Sequence, residues 1–264
     1  MKLVIYCKSY IKDLVRLKIL ADSIRKFNSD NIPFYISCPP SDINQFKNEL
    51  GNNDFIILCD EEIVPKKLES NFNTQQIIKS QFWKINKCDT YLCIDSDSQF
   101  IRTFRKEDFI YDENTPYSVM HECKDLLQSA VKHTDDVYNS FCRARIKIQN
   151  CLDRDGRCYD FGPSPYIWDK RVWQVFEEKI LSKLNITFEE VIDKYGNEAL
   201  WYGETLLIYE PIKLVPIEPL FKVFHYPFQY TESLSAGITL EHLSQNFLGI
   251  VLQSNWKAPL LYGQ

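Results

Sequence analysis

Glycine is scarce in this chain, at 8 of 264 residues. Neither G-x-x-x-x-G-K-[ST] nor G-x-G-x-x-G occurs. That removes the P-loop and dinucleotide fingerprints, which need glycine to bring backbone N–H groups against phosphate. H-E-x-x-H and G-x-S-x-G are missing too, which disfavours zinc-protease and α/β-hydrolase chemistry. No apolar run approaches the roughly 20 residues that span a bilayer. There is no long basic run and the net charge is −5, so no nucleic-acid partner is expected. The nine cysteines form no C-x-x-C pair, which argues against a zinc ribbon. Cys7, Cys38, Cys59 and Cys93 end strand-like runs, where a free thiol acts as a small apolar residue. That usage suits a reducing compartment. Met1 to Lys8 turns polar too quickly for a signal peptide. A soluble, cytoplasmic protein is expected.

What is present is a folding composition, 45% hydrophobic, 14% aromatic and 25% charged. Over the first hundred residues, strand-like and helix-like patterns alternate. Leu3–Cys7, Pro33–Cys38, Phe55–Cys59 and Tyr91–Ile94 are short apolar runs with strand length. Between them, Leu14, Leu17, Leu20, Ile24 and Phe27 recur at helical spacing. Ser41 is placed to cap a helix through Leu50, and Thr74–Ile85 reads as a third helix. This order predicts a mainly parallel α/β sheet flanked by helices. Later segments are more mixed. Tyr117–His121 is a candidate strand, Asp125–Ile148 is partly helical, and Arg171–Leu184, Phe188–Tyr195 and Asn197–Tyr209 are helical. Lys213–Phe224 reads as strands broken by proline. No boundary divides the chain, so residues 1–264 are taken as one domain.

The fourth strand runs into Asp95-Ser96-Asp97. Residues two apart on an extended strand share a face, and open α/β sheets bind ligands at the carboxyl ends of their strands. Two acids held there repel each other unless a cation or donors join them. Turn capping is the other reading, since Asp and Ser favour turns. A second D-x-D, Asp153-Arg154-Asp155, follows no buried strand, and the Asp-Gly after it signals a hairpin turn. The loop after strand one, Lys8 to Asp13, contains no glycine.

The βαβα order followed by YLCIDSDSQFI resembles the D-x-D region of GT-A-fold glycosyltransferases that use nucleotide sugars. QQIIKSQFW (75–83), DFGPSPYIW (160–168), WYGETLL (201–207) and FKVFHY (221–226) resemble a bacterial subgroup associated with capsule and surface-polysaccharide synthesis. The resemblance implies a GT-A (Rossmann-like) fold. Residues 1–100 would form the nucleotide-binding half and residues 101–264 the acceptor-binding half. It implies transfer of a hexose-type sugar from a nucleoside-diphosphate donor, a UDP-sugar, to a hydroxyl of an oligosaccharide or lipid-linked glycan. Inversion and peripheral association with the inner face of the membrane are part of that expectation.

On the same basis, Asp97 and Asp95 would hold Mn²⁺ or Mg²⁺. Asp95 would also contact the donor ribose or a metal-bound water, and His225 would be a third metal ligand, unless it is a packed core histidine. Glu204 would be the base that deprotonates the acceptor, a role worth about 10²- to 10⁴-fold in rate; otherwise it is a helix-surface acid. For the nucleotide, the end of strand one is the natural site, with Tyr6, Lys8 and Ser9 there and Asp13 and Arg16 on the following helix. A tyrosine face can stack a base and a cation can meet diphosphate. Gln76 and Lys79, near one another on the next helical face, are candidates to reach the donor. Asp160 would accept a sugar hydroxyl. Trp168, Trp201 and Tyr202 are candidate acceptor platforms, against the ordinary alternative of core packing. Two other classes stay open: a sugar-phosphate nucleotidyltransferase, which the glycine-free first loop disfavours, and a non-catalytic glycan-binding module.

Overall fold

A computed structural model describes residues 1–51, 55–66, 72–133 and 136–264. Its largest sheet has five strands: β1 (Leu3–Lys8), β2 (Phe34–Cys38), β3 (Ile56–Cys59), β4 (Thr90–Cys93) and Tyr166–Asp169. They lie in the order β3-β2-β1-β4-(166–169). The first four are mutually parallel and the last is antiparallel to β4, with Cys93 opposite Tyr166. The mainly parallel α/β sheet flanked by helices is therefore as the alternating pattern predicts. The antiparallel edge strand is an addition, because Tyr166–Asp169 follows two prolines and is too short to show a period.

Alternation along β1 divides the core between two faces. Leu3, Ile5 and Cys7 face the helices Leu14–Phe27 and Ile43–Leu50. Val4 and Tyr6 join the layer built from Phe82, Trp168, Trp173, Trp201 and Tyr202. That second layer includes the helices Phe188–Tyr195 and Glu198–Tyr209. After β4 the chain does not stay extended. A tight turn, in which the Ser98 N–H donates to the Asp95 carbonyl at 3.1 Å, sends it into β5 (Ser98–Phe100). β5 belongs to a separate three-stranded sheet with Phe221–Phe224 and Gly249–Leu252.

Most helices fall within a residue or two of expectation, and Phe188–Tyr195 matches at both ends. The expected Ser41 cap is replaced by a 3₁₀ turn, Pro40–Asp42, ahead of Ile43. The Asp125–Ile148 segment contains two helices, Lys124–Val131 and Asp136–Cys151, and 134–135 lie outside the described residues. Asp153–Arg157 forms no hairpin; it is the loop leaving the second of these helices. All nine cysteines are free. No helix among the described residues is long and apolar enough to cross a membrane.

Candidate functional site

The turn after β4 sends its two acids in different directions. Asp95 lines a cavity of about 180 Å³ together with Arg145, Asp160, Ser164, Tyr166 and His225. Asp97 instead faces a small crevice shared with Arg16 and Leu260. One Asp97 oxygen accepts the Ser254 N–H at 2.9 Å. Its Oδ1 is buried without a hydrogen-bond partner among the described residues. Burial, followed by the charge of Asp95, raises the Asp97 carboxyl to about 6. The expectation of one shared strand face is thus corrected, because β4 ends at Cys93 and the turn breaks the alternation. The acids nevertheless remain electrostatic neighbours.

Lys79 supplies the nearest positive charge. Its side chain is 5% exposed, pairs with Asp95 and lies 4.0 Å from Glu198. Burial pulls its ammonium down, but Asp95 and then Glu198 hold it well above its ordinary value. Glu198 is itself pushed up by burial, with Lys79 opposing. Asp13, half-buried beside Ser96, is pushed up chiefly by burial. Among the described residues, four acids (Asp13, Asp95, Asp97 and Glu198) thus gather near three cations, Lys8, Lys79 and Arg16, of which Lys8 is already paired with a fifth acid, Asp60. This acid excess, with the orphaned Asp97 oxygen, fits a hard divalent cation held through carboxylates. Asp95 and Asp97 would have to turn toward each other to hold it, and the expected third ligand is corrected: His225 lines the cavity with Asp95, but the three residues do not form a group whose ligand atoms lie within 4.8 Å of one another.

The opposite cavity wall is fixed by a chain of contacts. Ser164 Oγ accepts the Asp95 N–H at 2.9 Å. The Asp160 carboxylate meets Arg145 at 3.0 Å, the Cys123 thiol at 3.1 Å and the Gly162 N–H at 3.2 Å. Against the upward push of burial, Arg145 and His121 keep Asp160 below the usual carboxylate range. His121, Cys123 and Asp160 lie close enough to suggest a metal cluster. The imidazole is committed, however. Its Nδ1 accepts the Cys123 N–H and its Nε2 meets the Gly162 carbonyl at 2.7 Å. No lone pair faces a metal, so the group is a hydrogen-bonded brace. Burial lowers His225 to about 4, leaving a neutral imidazole at neutral pH.

Several sequence-derived assignments need correction. Tyr6 is fully buried, stacked 3.8 Å from Phe82 with its hydroxyl on Ser37, so no ring face is free for a base. Lys8 is buried in a 2.9 Å ion pair with Asp60. Ser9 is 2% exposed with its hydroxyl enclosed. Arg16 spends its guanidinium on the Leu252 and Ala258 carbonyls, tying down the C-terminal segment. Gln76 is buried, with its Oε1 accepting the Glu198 N–H. Trp168, Trp201 and Tyr202 are 1%, 0% and 3% exposed and belong to the core, so none offers an acceptor a surface.

Glu204, the expected base, is 1% exposed at its side chain and clamped by Arg154, which donates from Nη2 to Oε1 at 2.8 Å and from Nε to the other oxygen. It does not line the cavity. Its neighbour Gly203 is explained by packing, since a Cβ there would sit 1.9 Å from the Phe161 ring. Sequence reasoning missed Arg154, Arg145, Ser164 and Tyr10. Arg154 carried a signal, because the second D-x-D drew attention to its loop. Tyr10 is 41% exposed just beyond β1, unlike Tyr6.

No curated protein matches this sequence. Among solved structures, the chain is similar to apo WbbM, a bifunctional glycosyltransferase, with a TM-score of 0.57 and 13% identity. That match covers 97% of this chain and 46% of WbbM, so this chain spans less than half of that protein. Apo mouse xyloside xylosyltransferase 1 matches with a TM-score of 0.54 and 8% identity, over 98% of this chain and 100% of that one. At such identities the likeness shows a shared glycosyltransferase-type fold. The model of one sequence family matches residues 2–232, so the chain belongs to the family described as "Family of unknown function (DUF6492)".

Proposed function

We propose that this protein is a metal-dependent glycosyltransferase that moves a sugar from a nucleoside-diphosphate donor, a UDP-sugar, to a hydroxyl of a surface or capsule glycan. The carrying observation is the acid cluster at the carboxyl end of β4, opening beside a cavity of about 180 Å³. That is the position at which open α/β sheets bind ligands, and both structural relatives described above are glycosyltransferases. A divalent cation held by Asp95 and Asp97 would neutralise charge developing on the leaving diphosphate. Lys79 fixes Asp95 in place and offsets part of its charge. Tyr10, exposed at the end of β1, is the aromatic face available to a nucleobase.

With Glu204 held in the core, an inverting displacement needs another proton acceptor facing the cavity. Asp160 is engaged by Arg145, Cys123 and Gly162, which leaves His225, kept neutral, as the candidate there. The test is a thermal-shift panel of UDP-, GDP-, CMP- and TDP-sugars, each with and without Mn²⁺. Binding to the native state raises the midpoint according to affinity. A metal-dependent shift with one nucleotide class is expected, and no shift with any of them removes the proposal.

A further inference from the structure

The charged side chains that line the cavity are already paired. Asp95 is held by Lys79, and Asp160 by Arg145. The guanidinium of Arg145 is spent further, its Nε on the Tyr159 carbonyl at 2.9 Å and its Nη1 on the Phe141 carbonyl at 3.0 Å. Every other side chain of the lining is uncharged, His225 included. Among the described residues, then, no lining cation is left to meet a carboxylate brought into this space. Tyr166 offers something different. Its ring stacks on Trp168, with centroids 4.9 Å apart at 21°, and its backbone is fixed in the ladder opposite Cys93. A Cβ on Gly162 would come within 2.9 Å of that ring, so only a glycine there leaves the phenol its place on the cavity wall. The hydroxyl forms no hydrogen bond with any described residue. Burial, then the charges of Asp95 and Glu198, keep it protonated. It is a fixed donor with nothing to donate to.

We infer that this cavity holds the sugar ring of the donor, that the ring is neutral and not acidic, and that the Tyr166 phenol donates to one of its oxygens. The inference deepens the transferase reading and rests on it, since a diphosphate held at Asp95 leaves its sugar in the space that Asp95 lines. A neutral hexose or pentose presents oxygens to the phenol. Its C–H groups suit Val223, Val251 and Ala199, which supply apolar lining. A uronic acid would instead carry its carboxylate in among cations that are already taken. A charge removed from water without a partner is costly. The negative charge of Asp95 adds to that cost.

Calorimetry with Mn²⁺ present tests this on wild type and Tyr166→Phe. The probes are UDP, UDP-glucose, UDP-galactose and their C6-oxidised counterparts, UDP-glucuronate and UDP-galacturonate. Each neutral and acidic pair differs only at C6, so the comparison isolates the carboxylate. Wild type should bind at least one neutral UDP-sugar at least about tenfold more tightly than its uronate. Tyr166→Phe keeps the stack on Trp168 and removes only the hydroxyl. It should weaken that neutral sugar about three- to tenfold, the worth of one neutral hydrogen bond, and leave UDP itself unchanged. If wild type binds the uronates as tightly as the neutral sugars, the neutral-sugar assignment is overturned, and this arm needs no variant. If Tyr166→Phe binds the neutral sugar as wild type does, or loses UDP in equal measure, the role of the phenol is overturned. In both cases nucleotide-sugar binding stands. If wild type binds neither UDP nor any UDP-sugar, the transferase reading itself falls.

Discussion

The ammonium of Lys79 pairs with Asp95 just beyond β4 while lying 4.0 Å from Glu198, so one buried cation serves a buried acid and a half-buried one. Removing one member of such a set leaves uncompensated charge in a low-dielectric site. Lys79→Met should therefore cost about 3–5 kcal/mol by urea denaturation. A companion Lys79→Met/Glu198→Gln variant should recover part of that loss. Additive effects of the two substitutions would show that the charges do not communicate.

Asp97 has a buried oxygen with no hydrogen-bond partner among the described residues. Asp97→Asn keeps the shape and the contact to the Ser254 N–H but loses the charge. It should abolish the Mn²⁺-dependent part of the thermal shift and lower turnover at least about 10²-fold. Unchanged metal dependence in this variant would move the cation elsewhere.

Glu204→Gln discriminates a structural acid from a base. Because Arg154 grips both of its oxygens, the substitution should cost stability, about 3 kcal/mol. Turnover by the folded fraction should stay within about tenfold. A loss of the about 10²- to 10⁴-fold expected for a general base, without loss of stability, would return Glu204 to the chemistry.

The pH response of stability contains two opposing slopes. The folded state holds a proton on Asp97 up to about 6, against 3.8 for the ordinary group. The unfolded chain releases it earlier, so Asp97 costs stability as pH rises through that window. His225 has the reverse sign. The unfolded ring gains a proton near 6.5 while the folded ring stays neutral down to about 4, so stability is lost as pH falls between those values. Each effect is bounded by about 3 kcal/mol. Relative to wild type, Asp97→Asn should become more stable as pH rises from 4 to 6, and His225→Gln less stable. Urea midpoints that run parallel for all three proteins would contradict both assignments.

Gly203→Ala tests the close approach of the helix Glu198–Tyr209 to the Phe161 loop. An added methyl would collide with a buried ring and should cost about 1–3 kcal/mol, read as a lower melting temperature.

The parallel half of the fold was legible because β1 to β4 are apolar runs separated by helices with clear periodicity. The same signal could not say which side of a strand meets solvent. Tyr6 looked like a ligand from its place at a strand end, but its face of the sheet is covered by Phe82 and the tryptophan layer. Asp95 and Asp97 were visible, but the turn that parts them depends on β5 pairing with Gly249–Leu252, some 150 residues later in the chain. Glu204 was misread for a similar reason. Its partner Arg154 lies 50 residues away, in a loop whose pattern suggests only a turn.

The antiparallel strand Tyr166–Asp169 gives the cavity two unlike walls. Its first residue sits opposite Cys93, the last of β4, so the loop entering it and the loop leaving β4 emerge at the same end of one hydrogen-bond ladder. Asp95, Ser164 and Tyr166 therefore cannot slip past one another without breaking that ladder. Val223, His225, Val251 and Gln253 reach the same space from the small sheet, which is bonded separately. This second wall is nevertheless tied to the first, because the Leu252 N–H donates to the Asp97 carbonyl at 3.0 Å and β5 follows directly from the turn after β4, so a change in that one turn reaches the cavity from both sides.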